Sequence, residues 1–137
     1  MKINDILVRE SLNHAIKKHC NKSNEYMMSR FKEDLSLISC TTYIGKQDAI
    51  ISHWLSILEK NIDKIEKFLK PYNTRNRLIL YDDIPKNIDA NGYVRNTSGV
   101  VEGPYGKEKF NTTLLSIMKK DDTIKVFTAY PTTKKTT

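Results

Sequence analysis

Few side chains in this sequence can carry acid–base or nucleophilic chemistry near neutral pH. There are three histidines, His14, His19 and His53, and two cysteines, Cys20 and Cys40. His14 and His19 stand five residues apart, which is not a zinc-binding helix spacing, and the cysteines form no Cys-x-x-Cys pair. A metal site is therefore not expected, and neither is a cofactor. His19 and Cys20 are adjacent, but neighbouring side chains on a helix diverge, while a thiol nucleophile needs its base within hydrogen-bond reach. No GxSxG, phosphate-loop or GxGxxG element occurs. His53, beside Trp54 in an amphipathic stretch, reads as a packed core histidine.

His19 ends a lysine-rich segment, with Lys17, Lys18 and Lys22 around it. Neighbouring cations depress a histidine's pKa and a helix C-terminus raises it. An exposed helix-terminal histidine and an acid–base group both fit this position. Arg30 is the next candidate. On one unbroken helix it would lie about 16 Å from His19, too far to share a phosphate, but the Asn21-Lys22-Ser23 interruption allows the chain to fold back. Thr128 and Tyr130 stand two apart in a strand-like run and so point to one face, as partners of a site or as hairpin decoration.

These residues need elements to hold them. With 137 residues the chain fits one domain, residues 1–137, with a single modest core. The Thr/Lys-rich end, residues 131–137, has little to bury and is expected to fray. No apolar run of about 18 residues occurs, so no transmembrane helix is expected, and residues 1–18 hold no signal-peptide block. Lysine and arginine outnumber acids 23 to 16, a formal charge of +7, which favours a polyanionic partner. Two cysteines make no disulfide framework, and two free thiols are the simpler reading.

Ile6, Leu7, Leu12 and Ile16 predict a first helix over residues 5–19. Ser23 or Asn24 caps a second, through Tyr26, Met27, Arg30 and Phe31. Residues 46–69 carry the strongest helical period, with a break near Lys60-Asn61 and a stop at Pro71. Leu78–Tyr81 reads as a strand. Residues 89–107 hold four of the five glycines and read as loops joining one or two short strands. Thr112–Met118 and Thr123–Tyr130 predict an antiparallel hairpin. Helices first and strands later indicate an α+β fold, with N-terminal helices packed on a C-terminal antiparallel sheet.

In order, HAIKKHCNKS (residues 14–23), Arg30, Phe68-Leu69 and TAYP (residues 128–131) resemble the RNase A-like toxin domains of bacterial contact-dependent growth inhibition (CdiA C-terminal) proteins. The resemblance spans about His14 to Pro131. Cys20-Asn21 stands where the family usually has Val-Gly, and Cys40-Thr41 where small residues are common; asparagine tolerates the left-handed backbone such a turn needs.

The resemblance implies a kidney-shaped, disulfide-free α+β fold and a catalytic group of His19, Arg30, Thr128 and Tyr130. It implies a metal-independent ribonuclease acting on RNA through the ribose 2′-OH, with transfer RNA one candidate substrate and the RNA and its cleavage site left open. In that chemistry His19 is the acid–base group, Arg30 clamps the phosphate, Tyr130 donates to phosphate or leaving oxygen, and Thr128 orients base or phosphate. The second proton-transfer group is left unassigned. Lys17, Lys18, Lys22, Lys119 and Lys120 are candidates to attract the RNA backbone, or else a solvated basic surface. A 1:1 inhibitory, acidic immunity protein is implied, with delivery from the producing cell's surface inside a larger secreted protein and action in the target cytoplasm. The alternative is a non-catalytic nucleic-acid-binding module.

Overall fold

The computed structural model describes the backbone of residues 5–121 and 123–134, and side chains from Glu10 onward over those ranges. Its elements run α1 (Asp5–His19), α2 (Asn24–Glu33), β1 (Ser39–Ile44), α3 (Gln47–Lys60), α4 (Ile62–Phe68), β2 (Arg77–Asp83), β3 (Asp89–Arg95), β4 (Val101–Tyr105), β5 (Thr112–Lys120) and β6 (Thr123–Thr132). The strands form two antiparallel sheets, ordered β1-β3-β4 and β2-β5-β6. The α+β class is as expected. One strand, β1, comes early, between the helices, and the strands divide into two sheets rather than one.

Periodicity placed the helices well. Leu12 and Ala15 of α1 are buried, while Ile6 and Leu7 lie outside the described side chains. Ser23 caps α2, its hydroxyl accepting from the Tyr26 N–H at 3.1 Å. The long helical stretch breaks at Asn61, whose side chain donates to the Ile57 carbonyl at 2.7 Å. Ile50, Trp54, Ile57 and Leu58 of α3 go into the main core with Leu80, Leu115 and Ile117. His53 is buried there, its Nε2 2.7 Å from Thr113 Oγ1, which also lies 2.7 Å from the Tyr43 hydroxyl. It is the satisfied core histidine its neighbourhood predicted.

Two features aim the site. The first is a bulge in β6: Ser116 pairs with Thr128 and Ile117 with Val126, leaving Phe127 unpaired. Ile124 and Val126 point into the core before the bulge, and Ala129 and Pro131 after it. The extra residue thus shifts the alternation by one, so Thr128 and Tyr130 face outward although Val126 does not. Pro131 and Thr132 continue the strand opposite Thr113 and Thr112, correcting the expectation that fraying starts at 131; residues 135–137 lie outside the described residues.

The second is β1, which joins the two sheets. Thr41 Oγ1 donates to the Pro131 carbonyl at 2.7 Å, buried from solvent. Gly92 on β3 is the antiparallel partner of Thr41. A Cβ there would lie 2.7 Å from Thr41 Cγ2, 2.8 Å from the Cys40 carbonyl oxygen and 2.9 Å from Phe110 Cε2. Because two of those obstacles are backbone and a packed ring, Gly92→Ala is expected to cost roughly 1–3 kcal/mol of stability. Thermal unfolding followed by circular dichroism would show it as a lowered Tm; an unchanged Tm would mean that β1 yields without loss.

Candidate active site

His19 is the last residue of α1, and the chain turns sharply after it. Asn21 adopts φ 52°, the left-handed conformation asparagine tolerates. Its backbone N–H donates to the Tyr43 carbonyl at 2.7 Å, and its side chain brackets Gly45, donating to the carbonyl at 3.0 Å and accepting from the N–H at 3.1 Å. Thr42 completes the turn: its hydroxyl donates to the His19 carbonyl at 3.2 Å and accepts from the Lys22 N–H at 2.9 Å. The turn is therefore stitched to β1, and the chain folds back so that α2 packs on β1 and β3.

This fold-back brings the candidates together. His19, Arg30 and Tyr130 line one cavity of about 360 Å³, with Asp34, Cys40 and Thr41 on its wall. His19 Nε2 lies 3.3 Å from Thr128 Oγ1, and the His19 and Tyr130 rings are 5.5 Å apart, tilted by 43°. His19 Nδ1 is buried. Its approach to the Thr41 backbone falls short of hydrogen-bond geometry but is close enough to favour the protonated ring. Burial opposes this more strongly, and with the fields of Lys18, Arg30 and His14 it lowers the His19 pKa to about 4. At neutral pH the ring is uncharged and can accept a proton.

Arg30 is half-buried, on the last turn of α2, and its guanidinium has no hydrogen-bond or ion-pair partner among the described residues. The nearby Asp34 carboxylate is occupied by Ser36, accepting from its hydroxyl at 2.6 Å and its N–H at 2.9 Å. Arg30 therefore presents unspent donors to the cavity. The cysteines do not suit a nucleophile: both are free, burial pushes the Cys20 thiol up to about 12, and burial raises Cys40 as well. Among the described residues no group of three or more His, Cys, Asp or Glu side chains is arranged to hold a metal ion.

The lysines separate. Lys17 and Lys18 are exposed on the last turn of α1, and Lys22, three residues after His19, lies 4.9 Å from the Tyr26 ring centroid. Lys119 does not join them. Its ammonium donates to the Asn73 carbonyl and sits 5.0 Å from the Phe68 ring centroid, committed to the end of α4. Lys120 lines a different groove, between α1 and β6. Sequence reasoning missed Thr41 and Thr42, which hold the His19 turn and the end of β6. The signal was there: Thr41-Thr42-Tyr43-Ile44 before Gly45 is a β-branched and aromatic run with a stop.

The bacterial CdiA-CT RNase A domain family matches residues 13–131. A similar solved structure is the CdiA-CT/CdiI complex from Y. kristensenii 33638, with a TM-score of 0.66 and 16% identity, covering 87% of this chain and 98% of that one. Its fold agrees with the architecture above. No curated protein matches by sequence.

Proposed function

We propose how this chain, which belongs to the bacterial CdiA-CT RNase A domain family, cleaves RNA: by attack of the ribose 2′-OH on the adjacent phosphate, with His19 as base. The observation that carries this reading is the meeting of an uncharged His19 with the unspent guanidinium of Arg30 and with Tyr130 around one cavity, the Thr128 hydroxyl standing beside His19 Nε2. RNA brings its own nucleophile, so the protein has to move protons and stabilise charge, and no metal ion is needed for either.

In a neutral ring that carries its proton on Nδ1, the Nε2 lone pair accepts from the 2′-OH in exchange for its long contact with Thr128 Oγ1. Nε2 takes the 2′-OH proton, the 2′-oxygen bonds to phosphorus, and the 5′-oxygen departs. Arg30 holds the non-bridging oxygens with charge-assisted bonds as negative charge builds on them. The departing oxygen is protonated from the Tyr130 hydroxyl; His19 then releases its proton to solvent as solvent reprotonates Tyr130. Thr128 keeps the imidazole in register. The products are a 2′,3′-cyclic phosphate and a 5′-hydroxyl.

The test is incubation of the protein with total RNA and with DNA in EDTA, followed by end-group analysis. Cleaved RNA with cyclic phosphate ends and intact DNA is the expected result. Intact RNA would favour a nucleic-acid-binding module, and cleavage abolished by EDTA would remove the metal-free mechanism. Transfer RNA belongs among the substrates assayed.

In this reading the domain is a toxin of contact-dependent growth inhibition, carried at the producing cell's surface within a larger secreted protein and acting in the target cytoplasm. A producing cell needs protection from such an activity. The cognate immunity protein is proposed to be acidic, to bind 1:1 and to cover the cavity, because the toxin carries a net charge of +7. The similar structure is itself a CdiA-CT/CdiI complex.

A further inference from the structure

Three polar side chains meet in the core behind the catalytic cavity, and the chemistry proposed for that cavity uses none of them. Thr113 Oγ1 on β5 lies 2.7 Å from the Tyr43 hydroxyl of β1 and 2.7 Å from His53 Nε2 of α3. Tyr43 and Thr113 are wholly buried and His53 almost so. Burial raises the Tyr43 pKa and lowers that of His53, so both are uncharged at neutral pH. A hydroxyl gives one proton and accepts others, so Thr113 is satisfied between its two partners. From a fully buried position it cannot turn to bulk water in place of either.

The place of this cluster in the fold gives it a consequence, because the two sides of the cavity belong to different sheets. His19 is tied to β1, through the Thr42 hydroxyl and through the Asn21 N–H on the Tyr43 carbonyl. Thr128 and Tyr130 stand on β6. Strand β1 reaches the second sheet at two points: Thr41 Oγ1 donates to the Pro131 carbonyl, and the Tyr43 hydroxyl bonds to Thr113. Thr41 and Tyr43 are two apart and share one side of β1, while Pro131 and Thr113 are cross-strand partners. Both bonds therefore land on one rung of the second sheet, and Pro131 directly follows Tyr130.

One bond leaves a strand free to pivot about it, whereas two fix its angle. Between them Thr42 turns the other way, to the His19 carbonyl. Trp54 packs edge-on against the Tyr43 ring, with centroids 5.5 Å apart, and holds the phenol in place. The middle of α1 is held separately, by the Ser11 hydroxyl accepting from the Val126 N–H at 3.0 Å. The clamp on β1 thus governs the end of the helix that carries His19.

We propose that Tyr43 is a positioning residue for RNA cleavage: anchored on Thr113, it fixes the distance from His19 to Tyr130, the spacing of base and acid across the scissile phosphate. The proposal rests on the ribonuclease reading and gives a role in it to residues that never touch the substrate. Misplacing a reacting group by about 1 Å can cost about 10²-fold in rate, so a modest slackening of β1 is enough to show in kcat.

The experiment measures kcat and KM for RNA cleavage, and the proton NMR titration of the His19 ring, in the parent, Tyr43→Phe, Thr113→Val and Thr113→Ser. Tyr43→Phe removes one oxygen and keeps the ring. It is expected to lower kcat about ten-fold with KM little changed. It is also expected to raise the proton affinity of His19 about ten-fold, as water reaches a less tightly closed end of α1. Thr113→Val should do the same, and the double variant no more than either alone, because both break one link. Thr113→Ser, which keeps the hydroxyl, should restore most of the rate. Ile65→Val, in the same core but on α4, supplies the comparison: it should lower Tm without changing kcat or the His19 titration.

An unchanged kcat in folded Tyr43→Phe overturns the proposal. So does an Ile65→Val variant that loses as much rate at equal loss of Tm, which would make the cluster an element of stability alone. Should Thr113→Val not fold, Tyr43→Phe decides. A parent that leaves RNA intact is the failure of the ribonuclease reading instead, and the His19 titration then decides by itself whether Tyr43 closes that end of the helix.

Discussion

His19→Ala is expected to lower kcat/KM for RNA cleavage by about 10²–10⁴-fold, the range that loss of a positioned acid–base group produces, while the protein stays folded. Folding should tolerate the change because the side chain contributes little to it. Its Nε2 contact with Thr128 is long, at 3.3 Å, and its buried Nδ1 has no proper hydrogen-bond partner. Such a group is poorly placed for stability and well placed to accept a proton.

The pH profile adds a sign that can be checked. Burial lowers the His19 pKa to about 4, so in the free protein the basic, neutral ring predominates above pH 4 and is lost below it. The acid limb of kcat/KM should therefore fall near pH 4 and not near the ordinary histidine value of about 6.5. Once RNA is bound, a phosphate anion beside the ring favours its protonated form, so the acid limb of kcat should lie at higher pH. A kcat/KM limb at about 6.5 would mean that His19 is solvated and not enclosed as described. Activity retained in His19→Ala would remove it from the chemistry altogether.

The candidate site was legible in the sequence to different degrees, for identifiable reasons. Helices announce themselves through a period carried by many residues, so α2 with its Ser23 cap and the α3–α4 break at Asn61 could be placed closely. The fold-back that unites His19 with Arg30 could be anticipated from Asn21-Lys22-Ser23, because asparagine is among the few residues at ease at positive φ. Strand β1 escaped because it has six residues and its inward side is largely threonine and tyrosine, which carry no strong apolar alternation. Its role is also non-local: Thr41 reaches Pro131 across ninety residues, a contact no local pattern encodes.

The outward aim of Thr128 and Tyr130 was expected to be shared, and it is, but its cause was invisible. Counting by twos along β6 puts Val126, Thr128 and Tyr130 on one face. Val126 is in the core, and the bulge at Phe127 turns the other two away from it. Charge composition was the least informative signal. It marked Lys119 as readily as Lys18, although Lys119 is held against α4 and Lys18 lies within electrostatic reach of His19.

Arg30→Ala is expected to lower kcat by about 10²–10³-fold, the scale of losing a donor aimed at charge that develops in the transition state. The substitution should cost little stability. Helix α2 is anchored by Met27 and Phe31 against Tyr93, and Arg95 donates to the Phe31 carbonyl at 2.8 Å, whereas the Arg30 guanidinium bonds to none of the described residues. Arg30→Lys separates charge from shape. An ammonium keeps the positive field but not the planar fork that grips two oxygens at once, so it should restore only part of the rate. The two variants also act on the pH profile. The Arg30 field helps to hold the His19 pKa down, so Arg30→Ala should move the acid limb of kcat/KM upward, while Arg30→Lys should leave it close to that of the parent. A rate loss with no movement of the limb would place Arg30 on the phosphate but away from His19. Movement of the limb with the rate intact would make it only a field source, and the phosphate clamp would have to be sought elsewhere on the cavity wall.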